Sequence, residues 1–355
     1  MAEYDDAIAL LQQLTDADGV PGFEDEVRAI FCERLASHGE IVRDRTGSVV
    51  CVKRGRSETP RVMLDCHLDE VGFLIQHILP NGFLKFLPLG GWWGHVLPAQ
   101  RVRVAAGDRK LPGVIGSTPP HFLPEAERKR VRKPTDLFID IGASSREEAE
   151  SWGVRIGSWA APAGGFARMA NDKLLMNKAF DNRLGCALCI EATERIEGHP
   201  NTIYATGSVQ EEIGMRGATT ASRLAAPDVA IVLEAPPADD TPGFKSEESQ
   251  GALGGGVQIR VYDPKCLSNP RLTAFAIETA EEAEIPHQVA VRSGGATDAG
   301  AIHLSNQGVP SVVLGVPTRY IHAHVGVIHI DDYVAARALT LTMLERLDAE
   351  RVASF

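Results

Sequence analysis

From about Val71 to Arg168 the texture of this 355-residue chain differs from everything around it, and that interruption restricts the architecture more than any other feature. Within the block, short apolar runs alternate with the turn signals Pro80-Asn81-Gly82, Leu89-Gly90-Gly91, Gly107-Asp108, Leu111-Pro112-Gly113 and Ala163-Gly164-Gly165. Its one helical stretch is SSREEAESWG. Such spacing predicts a small β-rich domain of hairpins. On both sides, helix and strand patterns alternate instead. Before the block come helices over 4–17 and 24–38, separated by the loop DGVPGF, then strands in RTGSVVCVKR and PRVMLDCHLD, the second apolar enough for a buried sheet. After it come helix 180–196, strands 201–209, 228–234 and 256–262, helix 269–284, strand 287–291, helix 297–306, strand 310–315 and a helix from about 331. One discontinuous α/β domain, residues 1–70 with 169–355, interrupted by a β-rich domain over 71–168, accommodates both textures.

Composition excludes several classes. A net charge of -11 argues against a general nucleic-acid binder or a protein held on anionic membranes. The first residues, MAEYDDAIALLQQL, are acidic where a signal peptide needs basic residues, and no run reaches the roughly 20 apolar residues of a membrane span. The six cysteines are scattered through apolar segments, which predicts reduced core thiols and a cytoplasmic address. Cys186 and Cys189 form a C-x-x-C inside the helical pattern DNRLGCALCIEATERI. Without a second cysteine pair, packing explains them better than zinc or redox chemistry.

The chemistry concentrates where apolar strands end. PRVMLDCHLD closes on Asp65-Cys66-His67-Leu68-Asp69-Glu70, Val209-Gln210-Glu211-Glu212 follows another strand, and Ile231-Val232-Leu233-Glu234 ends a third. Asp181 opens a helix in KAFDNRLG. Each motif alone has an ordinary explanation: a satisfied histidine, a helix cap, a solvated pair of acids. Together they would gather several charges in one cleft at the strand ends of an α/β sheet, the usual place for its active site. Crowded carboxylates are costly there, and divalent cations relieve the cost. Two cations sharing one carboxylate, each with a histidine and one further carboxylate, need five ligands. Asp69 is placed to fix the tautomer of His67. The fifth ligand falls in VPTRYIHAH, where His322 and His324 are both candidates.

The segments DCHLDEVGFLI, KAFDNRLG, VQEEIGMRGA, GGATDAGAIH and VPTRYIHAH, supported by PGFEDEVR, LGGWW, STPPHF and LFIDIGASSREEAESWGV, run in order over nearly the whole chain. In them the sequence resembles the glutamyl-aminopeptidase-like, tetrahedral (TET) aminopeptidase family of dinuclear metallopeptidases. The resemblance implies an α/β/α metallopeptidase domain with an inserted small β-barrel-like domain that relatives use for dimer contacts, often within hollow dodecamers. It implies two divalent ions per subunit, zinc foremost with cobalt or manganese also suited. His67 and Glu234 would ligate one ion, Glu212 and His322 the other, and Asp181 would bridge both. The RYIH match selects His322 over His324. Glu211 is implied as general base and Asp69 as the support of His67. Many relatives carry Asp where this chain has Glu234, whose longer arm changes its reach. The implied substrates are peptides with a free N-terminus. Arg319 is the nearest cation for a terminal carboxylate, or a brace for its own loop. The competing expectations are a related dinuclear amidohydrolase or carboxypeptidase, and a non-catalytic metal-stabilised assembly. Glucan hydrolysis by paired carboxylates would leave the histidines without a purpose.

Overall fold

The computed structural model describes residues 2–355. A nine-stranded sheet organises the larger part of the chain. At its centre the strand Arg61–His67 lies between Thr202–Ser208 and Val229–Glu234, parallel to both, and Val229–Glu234 pairs in parallel with Ser311–Gly315. These strands are buried on both faces, which is why their sequences read as nearly continuous apolar runs. Their side chains alternate between two layers. Val62, Leu64, Ile231 and Leu233 join the core formed with the helices Ala2–Asp16, Asp25–Leu35, Phe180–Arg195, Pro270–Glu282 and Ile330–Arg346. Met63, Ala230 and Val232 face the opposite layer, under the helices Arg216–Ala225 and Ala299–Ile302. The result is an α/β/α sandwich, as the resemblance implied.

The parallel pairing sets the position of every later feature. It places Ser208 opposite His67 and Glu234 opposite Gly315, so the ends of the central strands, and the loops after them, emerge along one edge. The helix Phe180–Arg195 lies across these strands. Cys186 and Cys189, one turn apart on its buried face, direct their thiols at the carbonyls of His67 and Leu64, at 3.2 and 3.5 Å. All six cysteines are unpaired, and the C-x-x-C is a packing feature. A small antiparallel sheet of Ala167–Arg168, Leu174–Asn177 and Gly326–His329 does a separate job: by pairing Asn177 with Gly326 it brings the approach to Asp181 beside the loop that carries His322.

The interrupting segment forms a closed antiparallel barrel of Gly72–Ile78, Leu84–Leu89, Phe138–Asp140, Arg109–Gly116, Arg101–Ala106 and Trp159–Pro162. Phe73, Ile75, Phe86, Val104, Ile115 and Ile139 fill it. The Trp92-Trp93 pair divides its roles, since Trp92 stacks on Phe73 with ring centres 4.8 Å apart while Trp93 is 64% exposed. Several elements depart from the sequence expectation. The helix expected over 297–306 is regular only over Ala299–Ile302, and Glu40–Arg43, Arg216–Ala225 and Gly326–His329 are elements that the sequence reading did not include.

A buried charge cluster joins barrel to sandwich. Asp18, in the loop after the first helix, accepts from Arg103 and Lys110 of the barrel and from Lys178 beside the central sheet, each with a contact of 2.8 Å or less. Lys178 also contacts Glu70, which Arg183 approaches at 3.3 Å. Burial alone would raise the Asp18 carboxyl, but the three surrounding cations hold it well below the usual carboxylate range. A depressed carboxyl contributes stability that is fully present above its unfolded pKa of about 3.9 and is lost as pH falls towards the folded value. Asp18→Asn should therefore cost roughly 3 kcal/mol at pH 7, because it takes a shared carboxylate from the buried Lys178 and from the partly exposed Arg103 and Lys110. Denaturant titrations of both proteins should show that difference constant above about pH 5 and narrowing below about pH 4. A gap that is absent at pH 7, or that widens in acid, would contradict this assignment.

Candidate metal centre

The residues singled out from the sequence converge on the edge where the central strands end. His67 closes its strand and is 2% exposed. Its Nδ1 lies 3.1 Å from the carbonyl oxygen of Asp69, which can only accept, so the proton sits on Nδ1 and the Nε2 lone pair faces the cleft. There Nε2 meets Asp181 Oδ1 at 3.2 Å, Glu234 Oε1 at 3.6 Å and Glu211 Oε2 at 3.9 Å. His322 repeats the arrangement from the other side. Its Nδ1 is 2.7 Å from the carbonyl of Gly91, and its Nε2 lies 3.2 Å from Glu212 Oε2 and 3.5 Å from Asp181 Oδ2.

Asp69 reaches His67 in an unexpected way. Its backbone carbonyl is nearer to the ring than its carboxylate, at 3.1 against 3.6 Å. The carboxylate instead accepts from the backbone N–H groups of Glu211 and Glu212, at 3.0 and 3.1 Å. One residue thus orients the imidazole and the turn that presents two acids. Much of the surrounding backbone is left-handed: Ala179, Gln210, Met215, Tyr320 and His322 have φ between 54° and 63°. Non-glycine residues in that region carry strain, and such strain gathers where a site must be built to order.

The electrostatics of the cleft follow from the crowding of its acids. Burial raises the Glu211 carboxyl well above its ordinary range, and the neighbouring Asp298, Glu212 and Glu234 push in the same direction against His67. Glu212 is raised by burial and by Asp181. Burial opposes a charged imidazole, yet Asp181 and Glu212 drive His322 up to about 11, and Asp181 and Glu234 raise His67 likewise. Burial also works against an ionised Asp181, but the two imidazoles hold its carboxyl low. Carboxylates this crowded favour positive charge among them, and both imidazoles are oriented with Nε2 towards them. A divalent cation meets that demand.

The donor atoms fit cations. Among the described residues, His67, Asp181 and Glu234 form one group whose ligand atoms lie within 4.8 Å of one another, and Asp181, Glu212 and His322 form another. Asp181 belongs to both, and Glu211 belongs to neither. All border one cavity of about 490 Å³, apart from Asp69 behind it. His324 is elsewhere. It packs 5.1 Å from the Trp92 ring, and burial lowers its pKa to about 4. Arg319 binds Asp240 through both nitrogens of a fork, at 2.7 and 2.6 Å, and so braces its own loop. Sequence reasoning missed three participants. Gly91 contributes a carbonyl, for which no side-chain pattern exists. Arg260 lines the cavity from within an apolar strand. Asp298 lies behind His67, donated to by Ser208 at 2.5 Å and raised by burial to about 7; only its GGATDAGAIH setting marked it.

Comparison with known proteins agrees with this geometry. Residues 47–339 match the family described as M42 glutamyl aminopeptidase, and residues 5–31 match one described as AMPT. The glutamyl aminopeptidase of Lactococcus lactis is 34% identical over 349 residues, covering 97% of each chain. The crystal structure of a TET aminopeptidase from the marine sediment archaeon Thaumarchaeota archaeon SCGC AB-539-E09 superposes with a TM-score of 0.96 at 43% identity, over 99% of each chain. The TET1 peptidase of Pyrococcus horikoshii, which assembles into a tetrahedron or a large octahedral shell, superposes with a TM-score of 0.85 at 29% identity, over 96% of this chain and 100% of that one.

Cation binding by these donors has a direct signature. Zinc or cobalt added to chelator-stripped protein should raise its thermal midpoint, each occupied site contributing about 2.7 kcal/mol at a free concentration one hundred times its Kd. Binding should release protons, since His67 and His322 must give up theirs. Asp181→Ala, which removes a donor from both groups, should abolish most of the shift. An unchanged midpoint in the native sequence, or an equal shift in the variant, would rule these donors out.

Proposed function

The chain belongs to the M42 glutamyl aminopeptidase family, and on that premise we propose that it removes residues stepwise from the free amino ends of peptides at a centre built for two divalent cations. The observation that carries this reading is the sharing of Asp181 between two donor groups, with Glu211 adjacent to both and part of neither. His67, Asp181 and Glu234 would hold one ion; Asp181, Glu212 and His322 the other. Their mixture of imidazole and carboxylate suits zinc first, with cobalt and manganese also accommodated. Bound there, such ions supply Lewis acidity towards the scissile carbonyl and lower the pKa of an attacking water.

The remaining chemistry falls to the chain itself. Glu211, beside both donor groups and part of neither, takes a proton from the attacking water as a carboxylate and delivers it to the departing amine. Asp69 keeps that carboxylate in place by accepting from the Glu211 and Glu212 backbones. The acids of the cleft favour a substrate that brings an ammonium group to the scissile bond. Arg319, committed to Asp240, offers nothing to a terminal carboxylate. An uncoordinated Glu211 also distinguishes this reading from a purely structural metal assembly, in which that carboxylate would have no purpose. We place the catalytic unit at residues 1–70 with 169–355 and the inserted barrel at 71–168. We propose that copies assemble as dimers built into a dodecamer and work in the cytoplasm; the Pyrococcus horikoshii relative, which can form a tetrahedron or a large octahedral shell, supports assembly of this kind. Among the described residues no helix is long and apolar enough to cross a membrane.

Two measurements test this function. Glu211→Gln should keep the fold and the bound metal while turnover falls by about 10²–10⁴, the contribution of a general base. Loss of metal from that variant would instead make Glu211 a ligand. Separately, one peptide should be digested in free, N-acetylated and C-amidated forms and the products followed by mass spectrometry. N-acetylation should lower kcat/KM by more than tenfold, about 1.4 kcal/mol in transition-state binding, and C-amidation should have little effect. The reverse pattern would identify a carboxypeptidase.

A further inference from the structure

The two imidazoles of the centre are oriented from different parts of the molecule. The His67 proton goes to the carbonyl of Asp69, inside the sandwich. The His322 proton goes to the carbonyl of Gly91, which the barrel supplies from the turn after its strand Leu84–Leu89. His322 is also the more exposed of the two, with 33% of its side chain open against 2% for His67, so fewer neighbours restrain it.

That turn fits the site closely. Gly90 has a φ of +86°, and a Cβ there would lie 2.6 Å from Val71 Cγ1 and 3.1 Å from Glu212 Oε2. A Cβ on Gly91 would lie 3.1 Å from His322 Nδ1 and 3.4 Å from its Cε1. A side chain at either glycine would therefore press on a donor of the Asp181, Glu212 and His322 group, Glu212 from Gly90 and His322 from Gly91. Trp92 follows directly. Its indole N–H donates to the Gly72 carbonyl at 3.1 Å, and its ring stacks on Phe73 and lies 5.1 Å from His324. The side chain thus ties the turn to the barrel's first strand and packs against the loop that bears His322. Among the described residues His324 has no hydrogen-bond partner on either ring nitrogen, so its contribution to this contact is its ring face.

We propose that Gly91 and Trp92 are positioning residues for one cation site only: the Gly91 carbonyl fixes the tautomer and direction of His322, and Trp92 fixes Gly91. The inserted barrel then completes the Asp181–Glu212–His322 site while the His67–Asp181–Glu234 site is complete within the sandwich. This rests on the dinuclear reading given above. Groups that orient a metal-binding histidine typically change affinity 10- to 100-fold when altered.

The test is a cobalt titration of stripped full-length protein, read by calorimetry and by the cobalt visible absorption bands, with the sites identified through Glu212→Ala and Glu234→Ala. Gly91→Ala, which sets a methyl group against the His322 ring, should weaken the ion that Glu212→Ala loses by at least tenfold and leave the other unchanged. Trp92→Phe, which keeps an aromatic ring but removes the donor to Gly72, should weaken the same ion by a smaller factor and keeps the test available if the first variant folds poorly. Trp93→Ala, on the exposed neighbour, should bind as the native chain does. Native affinity for both ions in Gly91→Ala, or equal weakening of both, overturns the proposal. A native chain that takes up fewer than two cobalt ions overturns the dinuclear reading, and this proposal with it.

Discussion

Asp181, Glu211, Glu212 and Glu234 stand together at the mouth of an apolar sheet, where burial and neighbouring acids make Glu211 and Glu212 harder to ionise. Keeping them there dictates much of the local structure. The parallel pairing of Arg61–His67 with its neighbours brings the strand ends level. The Asp69 carboxylate holds the turn that presents Glu211 and Glu212, and the three-stranded sheet brings Asp181 to His322. Main-chain carbonyls hold both imidazoles in the one tautomer that can accept a cation. Without such bracing, repulsion would open the cleft.

The bracing extends past the cleft. Asp18 draws cations from the barrel and from the approach to Asp181, and Lys178 passes the same network on to Glu70, one residue from Asp69. The barrel is therefore anchored to the sandwich at two places of opposite character. One is a buried ionic knot; the other is the stacked contact of Trp92 with Phe73 and His324. Between them the barrel has little freedom to shift relative to the strand ends.

Much of this could be read from residues alone, for identifiable reasons. A carboxylate or imidazole closing a run such as VAIVLE or RVMLDCH breaks the apolar pattern, so His67, Glu211, Glu212 and Glu234 stood out before any coordinates. Turn dipeptides revealed the hairpins of the barrel because each needs glycine, proline or asparagine at a particular place. What stayed hidden has a faint side-chain signature or none. The helix Arg216–Ala225 packs on Ala218, Ala221 and Ala225, set against Arg216 and Arg223; its apolar face is there in the sequence but is built of alanines, and was passed over. The strand Gly326–His329 is too short for its alternation to show. The helix expected over 297–306 ends early, as Leu304 turns out to solvent and Asn306 adopts a left-handed conformation before Gly308. Gly91 acts through its carbonyl, a group that every residue carries. Spacing alone leaves His322 and His324 both open, and the choice of His322 came from the resemblance; in the fold the His322 ring meets acids and the His324 ring meets indole.

The order of strands in the large sheet has a consequence for how the chain is made. Arg61–His67 pairs with Thr202–Ser208 and Val229–Glu234, segments that leave a ribosome much later. The barrel, by contrast, takes all its strands from one continuous stretch between Gly72 and Pro162, so its strands are all made before either neighbour of the central strand. An apolar strand kept waiting in this way is exposed to aggregation, and its long-range pairing is slow. His322 arrives later still. The cleft therefore cannot serve as a template on which the sheet assembles, because its residues come together only through the pairing of the completed sheet.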